Sequence, residues 1–301
     1  MRKYLLVIGV PLFLLSLISL NTLALTSSQI GASQIVNTYG SPNWAGVAYS
    51  VEWKSWFTNY WAVMPWDSET IYIGNLTLGY IPYSGQCPDV IGIWVGLRTT
   101  KIGYGTGSSS GLEQNNFIQA GYGILVTSQG RAIQYFVMTY VNGQNVYTYE
   151  EFVPAGHPTY LTVFLENLEN GTALAQFFVY YANGTYWTTK IYTSIPWQTS
   201  TAMSIVEAPT FAKGITAELP FVHGGMIHFS FAYVGSDGNE HIGPSNSNTA
   251  GTIYADVYNL NEVTAYNSAQ AQIYKGWANT NGGWNYVYQF NYPGFDYSYG
   301  L

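Results

Sequence analysis

Two stretches of this chain share one pattern: a run rich in aromatic and β-branched residues, an Asn-Gly pair, then a second such run. "IQYFVMTYVNGQNVYTYEEFV" centres on Asn142-Gly143 and "AQFFVYYANGTYWTTKIY" on Asn183-Gly184. Asn-Gly accepts the positive φ angles of a type I′ turn, whose twist matches that of paired strands. Each stretch therefore predicts an antiparallel hairpin. The runs "TYLTVFLENL", "GGMIHFSFAYV", "GTIYADVYNL" and "WNYVYQFNY" read as further strands, spaced by turn residues. No convincing helical pattern follows residue 40. Many short strands without helices predict an all-β fold of two packed antiparallel sheets.

The organisation along the chain is simple. "MRKYLLVIGVPLFLLSLISLNTLALTSS" has a basic start at Arg2 and Lys3, an apolar stretch and small polar residues, the layout of a secretory signal. Residues 1–25 are expected to be that signal, cut near Ala24 or Leu25. The rival reading is an uncleaved membrane anchor, for which Tyr4–Leu20 is short and interrupted by Pro11. Residues 26–40 read as a polar leader, either a short propeptide or the start of the fold. Residues 41–292 read as one β-sandwich domain, and 293–301 as a peripheral tail. "GYGTGSSSGLEQNN" (Gly103 to Asn116) is expected to be a loop. The mature chain is expected to be secreted, monomeric and free of the membrane.

Composition narrows the function. Charged residues make up 8% of the chain, against about 25% in an average soluble domain. The net charge is −7, and removal of Arg2 and Lys3 makes it more negative still. With no basic cluster, nucleic acid is not an expected partner. Few ion pairs mean little to lose when carboxylates are protonated, so the composition suits an acidic exterior. The single cysteine, Cys87, forms no internal disulfide, and stability must come from packing. Sequons at Asn75, Asn170 and Asn183 are compatible with a secreted glycoprotein.

Several chemistries lack their residues. The histidines (His157, His223, His228, His241) are scattered and no His-Glu-x-x-His occurs, so neither a metal site nor a cofactor is expected. Cys87 precedes Pro88 in a turn and has no activating neighbour. "GSSSG" fits Gly-x-Ser-x-Gly, but it lies in a glycine-serine loop and not between a strand and a helix. Carboxylate and amide chemistry remain.

"TAMSIVEAPTF" places a lone carboxylate, Glu207, at the end of an apolar run, where it must be paired, hydrogen-bonded or protonated. Around it, "SPNWAGVAY", "YWAVMPW", "IWVGLRTT", "FIQAGYG", "YTYEEFVP", "MSIVEAP" and "LPFVHGGMIHFS" resemble, in order, the motifs of the glutamic peptidases (eqolisins), which are secreted acid proteases. The resemblance runs from about Ser41 to Tyr292. It implies a concanavalin-like (jelly-roll) sandwich and polypeptide substrates. Gln119 matches the family's catalytic glutamine and Glu207 its catalytic glutamate. Trp44 and Trp94 match framework tryptophans near the cleft, and Tyr149 and Glu151 fall in the substrate-binding segment. The chain departs from the family at Leu97-Arg98-Thr99, where Ile-Asp-Gly is common. Gly123 stands where an acid is expected, and Val153 where an aromatic is.

The chemistry of the pair supports the same reading. Ionised Glu207 would take a proton from water as it attacks the scissile carbonyl, then deliver it to the leaving amine. The Gln119 amide would donate to the developing oxyanion. Glu150 and Glu151 point to opposite faces of any strand, so only one can line a cleft. Two rivals stand beside the peptidase. One is a glycoside hydrolase pairing Glu207 with Glu151, and the other a non-catalytic carbohydrate-binding or surface protein. In the bland reading Gln119 and Glu207 merely satisfy each other's hydrogen bonds in the sandwich interior.

Overall fold

The computed structural model describes residues 34–41, 44–54, 59–73, 77–79, 89–99, 116–127, 130–207, 210–211, 215–216, 221–223, 226–235, 238–243, 251–260, 270–277 and 284–291. The signal, the serine-glycine segment up to residue 115, Cys87, Asn75 and the 293–301 tail lie outside them. None of the described residues is α-helical.

Two sheets form a β-sandwich. The first has nine strands and begins at one edge with β1 (Gln34–Ser41), β19 (Gly251–Leu260) and β2 (Trp44–Lys54). It continues through β13 (Thr201–Glu207), β6 (Asp89–Arg98), β7 (Phe117–Thr127), β8 (Gly130–Val141) and β9 (Gln144–Phe152). The short β3 (Asn59–Trp61) pairs with β2. The second sheet runs β12 (Tyr186–Ser194), β11 (Thr172–Tyr181), β10 (Pro158–Asn167) and β4 (Trp66–Tyr72). Next come β17 (Met226–Val234), β21 (Trp284–Asn291) and β20 (Gln270–Trp277), with β18 (Glu240–Gly243) on β17. Two small ribbons join β14 (Thr210–Phe211) to β15 (Ile215–Thr216), and β16 (Phe221–His223) to β5 (Thr77–Gly79).

Among the described strands pairing is antiparallel, except that β1 runs parallel to β19. Residues 34–40, read from the sequence as leader, are therefore strand. Their register comes from a partner more than 200 positions away, a pairing that no local pattern encodes.

The two hairpins differ. At β8–β9, Asn142 and Gly143 have φ of 52° and 78°, both positive as a type I′ turn requires. At β11–β12 only Gly184 does (φ 83°). There the Asn183 Oδ1 accepts from Thr185 N at 3.0 Å and Thr185 Oγ1 at 2.7 Å. This local side-chain turn draws a third residue into the loop, and Gly184 N donates to Tyr181 O at 3.0 Å. The expected type I′ turn is replaced by a turn ending in a left-handed glycine.

The core lies between the sheets. Ile91, Ile93, Val95 and Leu97 of β6, with Ile118, Ala120, Tyr122 and Ile124 of β7, face Leu161, Val163 and Leu165 of β10 and Phe177 and Val179 of β11. Burying each large apolar side chain stabilises by about 1.5–3 kcal/mol. The Tyr122 hydroxyl spans the sandwich, 2.8 Å from Thr162 O and 3.0 Å from Phe178 O. The first sheet is also packed on its other face. Ala48, Trp94, Phe136, Met203 and Ile205 form a second cluster there, with Trp44, Phe117 and Met138 at its margin.

Candidate functional site

Four of the six candidate residues, Trp44, Trp94, Gln119 and Glu207, lie on that outer face, and strand register fixes their positions. One row across the sheet reads Trp44, Glu207, Gly92, Gly123, Gln134, Phe152. The next residues on the same face give Gly46, Ile205, Trp94, Gly121, Phe136, Glu150. A third row gives Ala48, Met203, Gly96, Gln119, Met138, Thr148. Gln119 and Glu207 thus share a face, two strands and four residues apart. Those steps correspond to about 10 Å across the sheet and about 13 Å along it.

Trp94 occupies the space between them. Its indole Nε1–H donates to Glu207 Oε2 at 2.7 Å. The far edge of the ring lies over Gly96, where an added Cβ would meet Trp94 Cζ3 at 3.0 Å. At Gly121 a Cβ would fall 2.5 Å from Trp94 Cβ and 2.2 Å from Ile93 O. The alternate glycines of "IGIWVG" and "QAGYG" are where the strands make room for this ring. Trp44 meets Trp94 edge to face at 5.5 Å, and Phe117 stacks on Tyr140 at 4.4 Å, continuing the aromatic row.

Each candidate has its own partner. Gln119 is 6% exposed, and its Nε2–H donates to Met138 Sδ at 3.4 Å. The same sulfur accepts from Tyr140 Oη at 3.5 Å. Glu207 sits among rings, and burial pushes its carboxyl above the ordinary value, while the Trp44 and Trp94 indoles pull it back. Burial and then the Glu207 charge raise the Tyr140 phenol. Gln119 and Glu207 do not hydrogen-bond each other.

Tyr149 and Glu151, expected at the substrate cleft, belong to the other face. Glu151 pairs with Tyr135 and Tyr149 with Val137, residues that face the sandwich core. Glu151 Oε2 accepts from Tyr135 Oη at 2.7 Å and from Tyr149 Oη at 2.5 Å. Those bonds, Tyr135's first, hold the Glu151 carboxyl below its ordinary value. Strand alternation instead puts Glu150 on the Glu207 face, where its Oε2 accepts from Gln134 Nε2 at 3.2 Å.

Sequence reasoning passed over two acids. Asp67 and Glu69 of β4 are 0% and 1% exposed. "WDSETIY" sets them on one face with buried Ile71, an alternation that marked them as inward-facing. Among the described residues no group of three His, Cys, Asp or Glu side chains could hold a metal ion. Compared with known proteins, the chain matches no family model and no curated sequence.

Proposed function

We propose that this chain is an exported endopeptidase of acidic surroundings that uses Glu207 and Gln119 on the outer face of the first sheet. The observation that carries the reading is the separate anchoring of the two groups. An acid held by indole N–H and an amide held by a thioether share one face and are kept apart by a flat ring. The two groups are not joined to each other, and a substrate that engages both must lie over the Trp94 ring.

In this reading ionised Glu207 takes the proton of the attacking water and returns it to the departing amine. The indole N–H of Trp94 keeps Oε2 oriented throughout. A thioether is a weak acceptor, so the Gln119 amide leaves Met138 at little cost to donate to the oxyanion. Loss of one such donor typically lowers the rate about 100- to 1000-fold. The two-carboxylate glycosidase reading loses its geometry, because Glu151 lies on the other side of the sheet from Glu207.

The test is cleavage of a denatured protein across about pH 3 to 7, a window around the ordinary glutamate value. Glu207→Gln and Gln119→Ala are each expected to abolish cleavage while circular dichroism stays unchanged. Activity should rise with pH through the Glu207 ionisation, which burial places above 4.5. A folded wild-type protein that cleaves nothing in this window, or a Gln119→Ala variant with full activity, would refute the dyad.

A further inference from the structure

Asp67 and Glu69 stand on the inner face of β4, directly beneath β13 and β6. Their lateral neighbours in register are Leu165 and Phe231 for Asp67, and Val163 and Phe229 for Glu69, all buried. Each acid reaches across the sandwich to β13. Asp67 Oδ2 accepts from Met203 N at 3.4 Å, and Glu69 Oε2 accepts from Ser204 Oγ at 2.9 Å. Asp67 Oδ1 and Glu69 Oε1 are buried with no hydrogen-bond partner. The strand they hold is the one that ends in Glu207.

We propose that Asp67 and Glu69 form a pH latch that fastens β13 to the second sheet while both are protonated and releases it as they ionise. Backbone amides at Asp67 and the Ser204 hydroxyl at Glu69 favour the ionised form, but burial among apolar side chains outweighs them. From β13 the inward residues are Ala202, Ser204 and Val206, and from β6 Ile91, Ile93, Val95 and Leu97. β10 presents Leu165 and Val163, and β17 presents Phe229 and Phe231, with Tyr233 further along. The titratable groups on the inner faces packed here are the Tyr49, Tyr122 and Tyr233 phenols and the two acids themselves. Among the described residues no lysine, arginine or histidine stabilises either carboxylate.

The linkage has a definite sign. Burial raises both carboxyls, and for Asp67 the neighbouring Glu69 adds to the rise; Glu69 is pushed up to about 8. In the unfolded chain Glu69 ionises near 4.5. Its contribution to stability is therefore complete below about pH 4.5 and is lost progressively as pH rises to about 8. Over that interval the unfolding constant grows about tenfold per pH unit on account of this one group.

Urea unfolding of the full chain at pH 5 and pH 7, with hydrogen exchange of the β13 amides, tests the latch. Glu69→Gln keeps an acceptor for Ser204 and cannot ionise. Its unfolding constant should rise about 100-fold less than wild type between the two pH values. The wild-type amides of residues 203–206 should exchange faster at pH 7, after correction for intrinsic rates, and the variant's should not. Asp67→Asn should act in the same direction. If Asp67→Asn does not fold, the Glu69→Gln comparison decides alone. A Glu69→Gln protein with the wild-type pH slope, or a wild type whose stability rises from pH 5 to 7, would overturn the proposal.

Discussion

Gly121 and Gly123 lie two residues apart on the same strand and the same face, and the same substitution should affect them in opposite ways. A Cβ on Gly121 would sit 2.2 Å from Ile93 O, 2.5 Å from Trp94 Cβ and 2.6 Å from Trp94 Cα. None of these atoms is the tip of a flexible side chain. Relief requires β6 and β7 to part or shift by more than 1 Å, because ordinary carbon contacts lie near 3.5–4.0 Å. Overpacking of a filled site costs about 1–3 kcal/mol, sometimes more. With the backbone itself in the way, Gly121→Ala belongs at the upper end, about 3 kcal/mol.

At Gly123 the nearest atom to an added Cβ is Gln134 O at 3.9 Å, an ordinary contact. Gly123→Ala meets no clash, and a less flexible unfolded chain stabilises the fold by about 0.4–1 kcal/mol. Urea unfolding of both variants reads the difference directly as two midpoints on either side of wild type. For a domain of this size, each kcal/mol also moves the thermal midpoint by about 2–4 °C. If Gly121→Ala unfolds at the wild-type urea concentration, Trp94 is not packed against Gly121 as described, and the account of how Glu207 is held goes with it.

Trp94→Phe keeps most of the ring but removes the donor 2.7 Å from Glu207. That indole pulls the carboxyl down, so its loss should move the Glu207 titration to higher pH, read by NMR of the side-chain carboxyl carbon. Under the proposed chemistry the acid limb of the activity profile should move the same way. Asn142→Ala forces alanine into a positive φ of 52° and should cost about 1–2 kcal/mol, whereas Asn142→Gly should be close to neutral. Thermal unfolding separates the two.

What was legible in the sequence follows the range of the interactions involved. The β8–β9 turn is local, and Asn142-Gly143 announced it. The shared face of Gln119 and Glu207 rests on longer-range facts that alternation still carries: odd residues of β7 and β13 face outward, and the registers through β6 place both on one face. Tyr149 and Glu151 were misplaced because parity within β9 does not say which parity faces the core. The pairing of Tyr135 with Glu151 settles that. The parallel pairing of β1 with β19 left no mark in either segment. Asp67 and Glu69 escaped because acids normally signal a surface. Only β4's alternation with Ile71, once β4 is known to be a strand, turns them inward.

The bland account of Gln119 and Glu207 is that two polar residues inside a sandwich satisfy each other. That account requires a bond between them, and the outer face is built to prevent one. Trp94 spans the gap with its nitrogen at the acid and its carbocyclic edge over Gly96, the register partner of Gln119. Gln119 is left to a sulfur that is also occupied by Tyr140. An amide that needed only structural satisfaction would be better served by a carbonyl or carboxylate, since thioether acceptors are weak. Burial raises the Glu207 carboxyl and two indoles restrain that rise. The inner acids Asp67 and Glu69 tie the same strand's stability to low pH. The strand is therefore most firmly held under the acidic conditions in which its terminal glutamate would work.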